Sequence, residues 1–346
     1  MSDIQVGLIG YGVAGAYFHA PLIHATPGLR LAAVVTRNRD RAEEVAARYD
    51  AAAVPQAEEL WGQCDLVVVA SPNRTHVSLT AEALTQGKAV VVDKPMARTA
   101  EEARWLIRLA ADRGLMLTVF QNRRWDGDFR TLRRLVNDGA LGDVLRLESR
   151  FERWRPTPKG GWRESGGEEE IGGLLYDLGS HLVDQALQLL GPVHRVYGEC
   201  DVRREGVSAD DDTFIALSHA SGARSHLWAG SLASQAGPRF RVLGSRASYV
   251  KDGLDVQESR LRAGVAPDEP DFGEEAEDRW GVLGSDEANR RVRTEPGAYL
   301  DFYRGVVATL REGAPPPVRP EEVVDALEVI EAAHLSSTQG IVVHLA

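Results

Sequence analysis

The chain has 346 residues, 43% of them hydrophobic and 26% charged, a length that allows a large core and favours two domains. Its net charge of −11 argues against nucleic acid or an anionic membrane as partner. Two cysteines are too few for a disulfide framework or a cysteine-ligated metal site. Because the sequence also lacks a membrane-length apolar run and a signal-like N-terminus, we expect a cytoplasmic protein with no metal.

A glycine-rich turn at residues 10–15 follows the first apolar run, Ile4–Ile9, and precedes a helical pattern to about Ala25. A strand followed by Gly-x-Gly-x-x-Gly and then a helix is the signature of a dinucleotide-binding turn. Its first glycine permits the tight turn, and its second lets the backbone approach a pyrophosphate. The third allows close helix–strand packing, and the helix start offers unpaired N–H groups to the phosphates. The pattern therefore predicts a dinucleotide site that includes Gly10, Gly12, Val13, Ala14 and Gly15.

Strand and helix patterns alternate up to residue 121. The strands are continuous apolar runs, as in a parallel sheet covered by helices on both faces. We predict an α/β fold that opens with a doubly wound Rossmann domain over residues 1–121. The other predicted strands are Leu31–Thr36, Leu66–Ala70, Ala89–Val92 and Leu115–Phe120, and the other predicted helices are Arg41–Tyr49, Thr75–Gln86 and Ala100–Arg113.

The end of the second strand bears on the choice of cofactor. A site that prefers NAD places an acidic side chain there for the ribose hydroxyls, whereas this chain has Thr36 and Arg37. An arginine beside a hydroxyl suits a 2′-phosphate through charge-assisted hydrogen bonds. The pattern favours NADP over NAD, although a solvated loop would also carry such residues.

Two further strand ends carry polar residues at the edge where open α/β sheets bind ligands. They are the turn Ser71-Pro72-Asn73, with His76 after it, and the triplet Asp93-Lys94-Pro95. A lysine at a strand end can donate a hydrogen bond to a substrate hydroxyl, although Lys94 taken alone is more simply an exposed loop residue.

Asp177 and His181 stand four residues apart in an apolar pattern at residues 172–185, which predicts a helix with both side chains on one face. Histidine suits proton transfer because its charge changes near neutral pH. Taken alone, the pair fits a core helix with two satisfied polar groups at least as well.

Residues 122–346 form the predicted second domain, an α+β domain with a largely antiparallel open sheet. We expect it to bind substrate and to form homo-oligomers, with one sheet face under helices and the other free for a second copy. A Gly- and Trp-rich segment at 154–170 suggests a loop over the active site. An acidic, aperiodic segment at 262–286 suggests a surface excursion.

Together these features resemble the Gfo/Idh/MocA family of nicotinamide-dependent oxidoreductases. The likeness covers essentially the whole chain and is closest to the NADP-dependent scyllo-inositol dehydrogenase group, which has segments like residues 18–22, 122–126, 162–164 and 176–181. One departure is Asp93, where the family usually has glutamate, so a contact near the nicotinamide ribose is in doubt. Another is Ile171, where a glycine is frequent.

The resemblance implies that Lys94, Asp177 and His181 meet at the nicotinamide and transfer a hydride and a proton from a secondary alcohol of a sugar or cyclic polyol. His181 is the expected base, Lys94 stabilises the substrate oxygen, and Asp177 orients substrate and imidazole. The other implied contacts are Gln121, Trp162 and Arg163 to the cofactor and Asn122, Arg123, Trp125 and Tyr299 to the substrate. Two alternatives stay open, a glycosidase with an internally recycled nicotinamide and a non-catalytic NADP sensor.

Overall fold

A computed structural model describes residues 2–166, 170–285 and 288–345. The chain divides into two compact units. The first contains Met1–Trp125, Val256–Phe272 and Ala298–Val324, and the second contains Asp126–Asp255, Gly273–Gly297 and Asp325–Ala346. None of the described helices is long and apolar enough to cross a membrane. Residues 167–169 of the predicted active-site loop and residue 286 of the predicted excursion lie outside the described residues.

The first unit is built on a six-stranded sheet in the order β3-β2-β1-β4-β5-β6, and every neighbouring pair is parallel. This order is that of a dinucleotide-binding sheet, as the sequence predicts. The central strands are fully buried because both sheet faces are covered, which explains their unbroken apolar runs. The strands are β1 Ile4–Ile9, β2 Leu29–Val35, β3 Ala52–Val54, β4 Leu66–Val69, β5 Ala89–Asp93 and β6 Leu117–Phe120.

Later segments of the chain pack with this sheet. The Thr118 hydroxyl donates to the carbonyl of Val318 (2.7 Å), and the Phe120 ring packs edge-on against Phe302, with centroids 4.9 Å apart. The first unit therefore includes chain from beyond the predicted boundary at residue 121. Its helices are α1 Ala20–Ala25, α2 Arg39–Tyr49, α3 His76–Thr85, α4 Ala100–Arg113, α7 Gln257–Arg262 and α8 Leu300–Glu312.

The second unit contains a nine-stranded sheet in the order β14-β13-β12-β11-β7-β10-β9-β8-β15. Within the described part of this second sheet, only the β7–β10 pair is parallel, so the sheet is mostly antiparallel. Burial alternates along β9, with one face buried and the other half-exposed. The strands are β7 Val144–Glu152, β8 Val193–Asp201, β9 Asp212–His219, β10 Arg224–Gly230, β11 Phe240–Gly244, β12 Ser248–Lys251, β13 Gly281–Gly284, β14 Asn289–Val292 and β15 Val343–His344.

Helix α6 (Ser180–Leu190) packs on β7 and β10 and also contacts α5 (Gly127–Asn137). Helix α9 spans Pro320–Gln339, and its residues from Asp325 onward belong to the second unit. The interpretation of residues 262–286 as an aperiodic surface excursion is wrong at β13, which is a strand of the sheet. It pairs with β12 and β14, and it has no alternating apolar pattern that would have predicted a strand.

Candidate active site

The glycine-rich loop joins β1 to a helix, and a side chain is disfavoured at its three glycines for different physical reasons. Gly10 has φ of +100°, and a Cβ there would lie 2.7 Å from the carbonyl oxygen of Ala70. A Cβ on Gly15 would lie 2.0 Å from the carbonyl oxygen of Gly10. A Cβ on Gly12, however, would meet nothing within 4 Å, so the protein's own packing does not require that glycine. The open space over Gly12 fits the close approach of a pyrophosphate.

The helix after this loop starts beside the open space. Ala16 N donates to Gly12 O (2.9 Å), so the helical turn begins within the loop, and Val13 is 45% exposed at its start. The turn continues as a π-helix, Gly15–His19, and then as α1. The predicted residues Val13 and Ala14 therefore lie at a helix start, where backbone N–H groups suit phosphate oxygens.

Arg37 follows the end of β2 and is exposed. Its Nε donates to the carbonyl of Pro55 (3.4 Å), and within the described chain it forms no ion pair, whereas Arg39 pairs with Glu43 (3.0 Å). Asn38 caps α2 by accepting from Arg41 N (3.0 Å). This geometry leaves the Arg37 guanidinium available to an anion beside Thr36.

His76 joins the two other predicted strand ends. Its ring is buried, with Nδ1 2.7 Å from the carbonyl oxygen of Pro95 and Nε2 2.9 Å from that of Ser71. Burial lowers the pKa of His76 despite these carbonyl contacts and the nearby Asp93. The neutral ring can donate to only one of the two oxygens. The structure thus places His76 as a brace between the Ser71-Pro72-Asn73 turn and the Lys94–Pro95 peptide, which is cis.

Lys94 is half-buried directly after β5, and Asp93 before it is held within the protein. Asp93 Oδ1 accepts from Lys94 N (2.8 Å), and its Oδ2 lies 3.8 Å from Nε2 of buried His19. The other ring nitrogen of His19 is 2.6 Å from the Tyr303 hydroxyl. Burial by itself would raise the pKa of Asp93, but His19, Lys94 and His76 outweigh it and lower the pKa. Asp93, which is one methylene shorter than the glutamate usual in the family, therefore lies beside His19, a residue that was not predicted at the site.

Gln121, predicted at the cofactor, and the predicted substrate residues Asn122, Arg123, Trp125 and Tyr299 also lie in the first unit. Gln121 and Asn122 are buried, and Arg123 donates to the Tyr299 hydroxyl (3.1 Å) while pairing with Glu258. Burial would raise the pKa of Glu258, but Arg123 outweighs it and lowers that pKa. Two predicted substrate residues thus contact each other, and Glu258 is a partner that sequence reasoning missed. Trp125, the remaining one, packs its ring edge-on against Phe302, with centroids 5.5 Å apart.

In the second unit, the Asp177 and His181 segment differs from the single regular helix predicted for it. Residues Leu175–Gly179 form a π-helical turn that continues into α6, an irregularity common at functional sites. Ile171, ahead of it, has φ of +51°, a strained conformation for a β-branched residue. Asp177 is half-buried, and His181 is only 4% exposed, its ring centroid 6.3 Å from that of Phe151.

Trp162 and Arg163, both predicted at the cofactor, lie next to Asp177. The Arg163 guanidinium stacks over the Trp162 ring, 4.3 Å from its centroid, and its Nε is 3.9 Å from Asp177 Oδ1. The Trp162–Glu164 turn is in turn held by Arg204, which is only 8% exposed and pairs with Glu164 (3.0 Å). Sequence reasoning did not single out Arg204, because nothing in its local pattern distinguishes it from an exposed arginine.

No group of three or more His, Cys, Asp or Glu side chains is placed to hold a metal ion within the part of the chain that the structure describes. Taken by itself, the first unit carries an open glycine-rich loop and Lys94 directly after β5. Taken by itself, the second unit carries Asp177 and His181 on a π-helical turn and the helix that follows it.

The family models for the NAD-binding Rossmann fold and the C-terminal α/β domain of the Gfo/Idh/MocA oxidoreductases match residues 4–121 and 133–345. The chain belongs to the Gfo/Idh/MocA oxidoreductase family. It is 36% identical to the NADP-dependent scyllo-inositol 2-dehydrogenase IolW of Bacillus subtilis, over 98% of this chain and 95% of that protein. It is 34% identical to the D-glucoside 3-dehydrogenase of Escherichia coli over 55% of each chain. The solved structure of YvaA from Bacillus subtilis superposes with a TM-score of 0.94 at 34% identity, covering 100% of this chain and 99% of that one.

Proposed function

We propose that this Gfo/Idh/MocA oxidoreductase is an NADP-dependent dehydrogenase of a secondary alcohol on a sugar or a cyclic, inositol-like polyol. The observation that carries the proposal is the acid–histidine pair at the start of a buried helix, in a chain similar over nearly its full length to an inositol dehydrogenase. The charge and motif content of the sequence favour a small polyol as partner over nucleic acid or membrane, and a cytoplasmic location stays a prediction.

Three side chains have distinct proposed roles in the oxidation of the substrate hydroxyl. His181 takes the hydroxyl proton of the substrate, Lys94 donates a hydrogen bond to the same oxygen, and Asp177 orients substrate hydroxyls and the imidazole. A bound nicotinamide supplies the hydride acceptor. The residues proposed to hold the cofactor are Gly10, Gly12, Val13, Ala14, Gly15, Thr36, Arg37, Ser71, Pro72, Asn73, His76, Asp93, Lys94, Pro95, Gln121, Trp162 and Arg163. The proposed contribution of His76 is to hold the carbonyls of Ser71 and Pro95.

A screen of inositols and simple sugars with NADP⁺, following nicotinamide absorbance, tests this function. The proposal predicts net NADPH formation with at least one polyol. Turnover of a glycoside with no net absorbance change would favour the internally recycled glycosidase instead. Binding of NADPH without turnover of any substrate would favour the sensor.

The preference for NADP rests on Arg37 and the lack of an acidic side chain beside it. A charge-assisted hydrogen bond contributes about 1.5–3 kcal/mol, so Arg37→Ala should weaken NADPH binding by roughly tenfold or more. NADH, without the 2′-phosphate, should bind equally well to both proteins. Arg39→Ala, at an arginine already paired with Glu43, is the matched control. An equal loss for NADPH and NADH would contradict the assignment.

We also propose that the half-exposed face of the nine-stranded sheet binds a second copy of the chain. Trp228 on β10 packs against Phe214, with ring centroids 5.2 Å apart, and the Arg150 guanidinium lies 3.9 Å from the Trp228 ring centroid. Aromatic residues and arginine are enriched at protein interfaces. Light scattering should give a dimer or tetramer for the wild type and a smaller species for Trp228→Glu, and a monomeric wild type would contradict this.

A further inference from the structure

The π-helical turn that carries Asp177 begins without a cap from its own segment, since the residue before it, Leu174, provides no side-chain cap. Its first N–H, that of Leu175, donates instead to Asp210 Oδ2 (2.7 Å), 35 residues further along the chain. The preceding N–H, that of Leu174, donates to the backbone carbonyl of the same Asp210 (2.9 Å). One residue of the β8–β9 connection therefore caps the start of the helix.

The Asp210 carboxylate is itself held on several sides. Thr213 Oγ1 donates to Oδ2 (2.6 Å), and a Cβ on Gly173 would lie 1.8 Å from Oδ1. Gly173 has φ of +88° and donates its N–H to the carbonyl of Arg163 (2.9 Å). Its own carbonyl accepts from Asp177 N (3.0 Å). Asp210 therefore packs against Gly173, whose backbone is hydrogen-bonded both to Asp177 and to Arg163. A displacement of Asp210 would move the backbone of both residues.

We propose that Asp210 is a positioning residue for proton transfer, setting the place of Asp177 and His181 through the Leu175 N–H. The inference rests on the proposed function, because it assigns these two side chains to the reaction. A displacement of about 1 Å at reacting groups can cost about 10²-fold in rate, so a helix anchored at its first N–H matters for turnover as well as for folding. Asp210 touches neither side chain directly in the contacts described above.

The experiment compares Asp210→Ala, Asp210→Asn and Asp212→Ala. Asp212 is the matched control, because it lies two residues further on, at the start of β9, and its exposed side chain pairs with Arg203 (3.2 Å). Three quantities are measured for each: hydrogen exchange of the Leu175 amide, kcat and KM with NADP⁺ and the best polyol from the screen, and the melting temperature. The exchange measurement requires no catalysis and reports the cap by itself.

In Asp210→Ala the Leu175 amide should exchange about tenfold faster, the change expected for the loss of one helix cap. Its kcat should fall by about 10²-fold, while the KM for NADP⁺ stays within about twofold. Asp210→Asn keeps an oxygen that can accept both hydrogen bonds and should recover most of kcat. Asp212→Ala should match the wild type in exchange and in kcat.

Faster Leu175 exchange with a wild-type kcat in Asp210→Ala would overturn the inference. A fall in kcat in Asp212→Ala as large as that in Asp210→Ala would overturn it too. If Asp210→Ala does not fold, Thr213→Val removes one donor to the carboxylate, and it should still lower kcat by about tenfold at an unchanged KM for NADP⁺. Wild-type kcat in a folded Thr213→Val with faster Leu175 exchange would also overturn it. Failure of the proposed function itself is seen separately, as a wild-type chain that oxidises no polyol.

Discussion

In the first unit, the glycine-rich loop takes its geometry from close backbone packing, and the end of β5 is held by the side chains of His19 and His76. Gly10 abuts Ala70 at the end of β4, and His76 braces two adjacent strand ends. In the second unit, the segment from Trp162 to His181 depends on side chains that come later in the chain, namely Arg204 and Asp210. The glycine-rich loop of the first unit is therefore shaped by backbone packing. The Trp162–Glu164 and Leu175–Gly179 turns of the second unit depend instead on ionic and capping contacts from later in the chain.

This difference predicts that the turns around Trp162 and Asp177 in the second unit are more sensitive to the loss of single charges than the glycine-rich loop in the first. Arg204 is nearly buried and pairs with Asp211 (2.8 Å), itself 1% exposed, and with Glu164. Removing one partner of a buried pair costs about 3–5 kcal/mol, because the other charge stays buried, so Arg204→Ala should lower the free energy of unfolding by that amount. Urea denaturation of the wild type and of Arg204→Ala measures this difference in the free energy of unfolding.

Arg203→Ala is the control for that experiment. Arg203 pairs with Asp201 and Asp212, but its side chain is 53% exposed, so the loss should be under about 1 kcal/mol. Equal losses of unfolding free energy in Arg203→Ala and Arg204→Ala would contradict the dependence of the second-unit turn on a buried ion pair.

The stability of the glycine-rich loop in the first unit should instead be sensitive to atoms added at its tightly packed glycines. A Cβ at Gly15 meets the backbone carbonyl of Gly10, which cannot move aside cheaply. Gly15→Ala should therefore lower the free energy of unfolding by about 3 kcal/mol, the upper range for overpacking. A melting temperature equal to that of the wild type would show that the loop is not tightly packed against β1.

Gly12→Ala sharpens the same point because the added methyl group enters open space. The free energy of unfolding should stay within about 0.5 kcal/mol of the wild type. The methyl group would fill the cradle, so the Kd for NADPH should rise by about tenfold or more, which corresponds to about 1.4 kcal/mol. Calorimetric titration measures the Kd, and unchanged affinity would place the pyrophosphate elsewhere.

The smallest effects are on the pH dependence of stability, and they have opposite signs for Asp93 in the first unit and Asp210 in the second. The pKa of Asp93 is lowered, so its ionised form stabilises the fold and this contribution is lost as pH falls below about 4, the ordinary aspartate value. Burial raises the pKa of Asp210, although Thr213 and Leu175 partly oppose it, so the fold gains stability there as pH falls toward about 4.

Asp93→Asn should accordingly be less stable than the wild type near neutral pH, with a deficit that shrinks on acidification. For Asp210→Asn, the wild type should gain stability relative to the variant as the pH falls. Urea denaturation across the acidic range measures both differences, and slopes of the same sign would contradict the assignment of the two environments.

These regions also show how far the sequence predicts the structure. The parallel sheet and the largely antiparallel second sheet follow from local periodicity and motif spacing, and they are confirmed. The role of Gly12 at a pyrophosphate stays a prediction. The π-helical turn and the Asp210 cap could not be predicted, since each depends on contacts between residues far apart in sequence. The run Asp210-Asp211-Asp212 was a visible signal, but its three side chains have three different surroundings.

The central claim is that His181 handles the proton during hydride transfer, and the single-turnover rate of NADPH formation in His181→Ala tests it most directly. A positioned general base contributes about 10²–10⁴-fold, so the rate should fall by that factor while the Kd for NADPH is unchanged. His194→Ala, at an exposed histidine of the same unit, should retain the wild-type rate. A rate in His181→Ala within about twofold of the wild type would contradict the account.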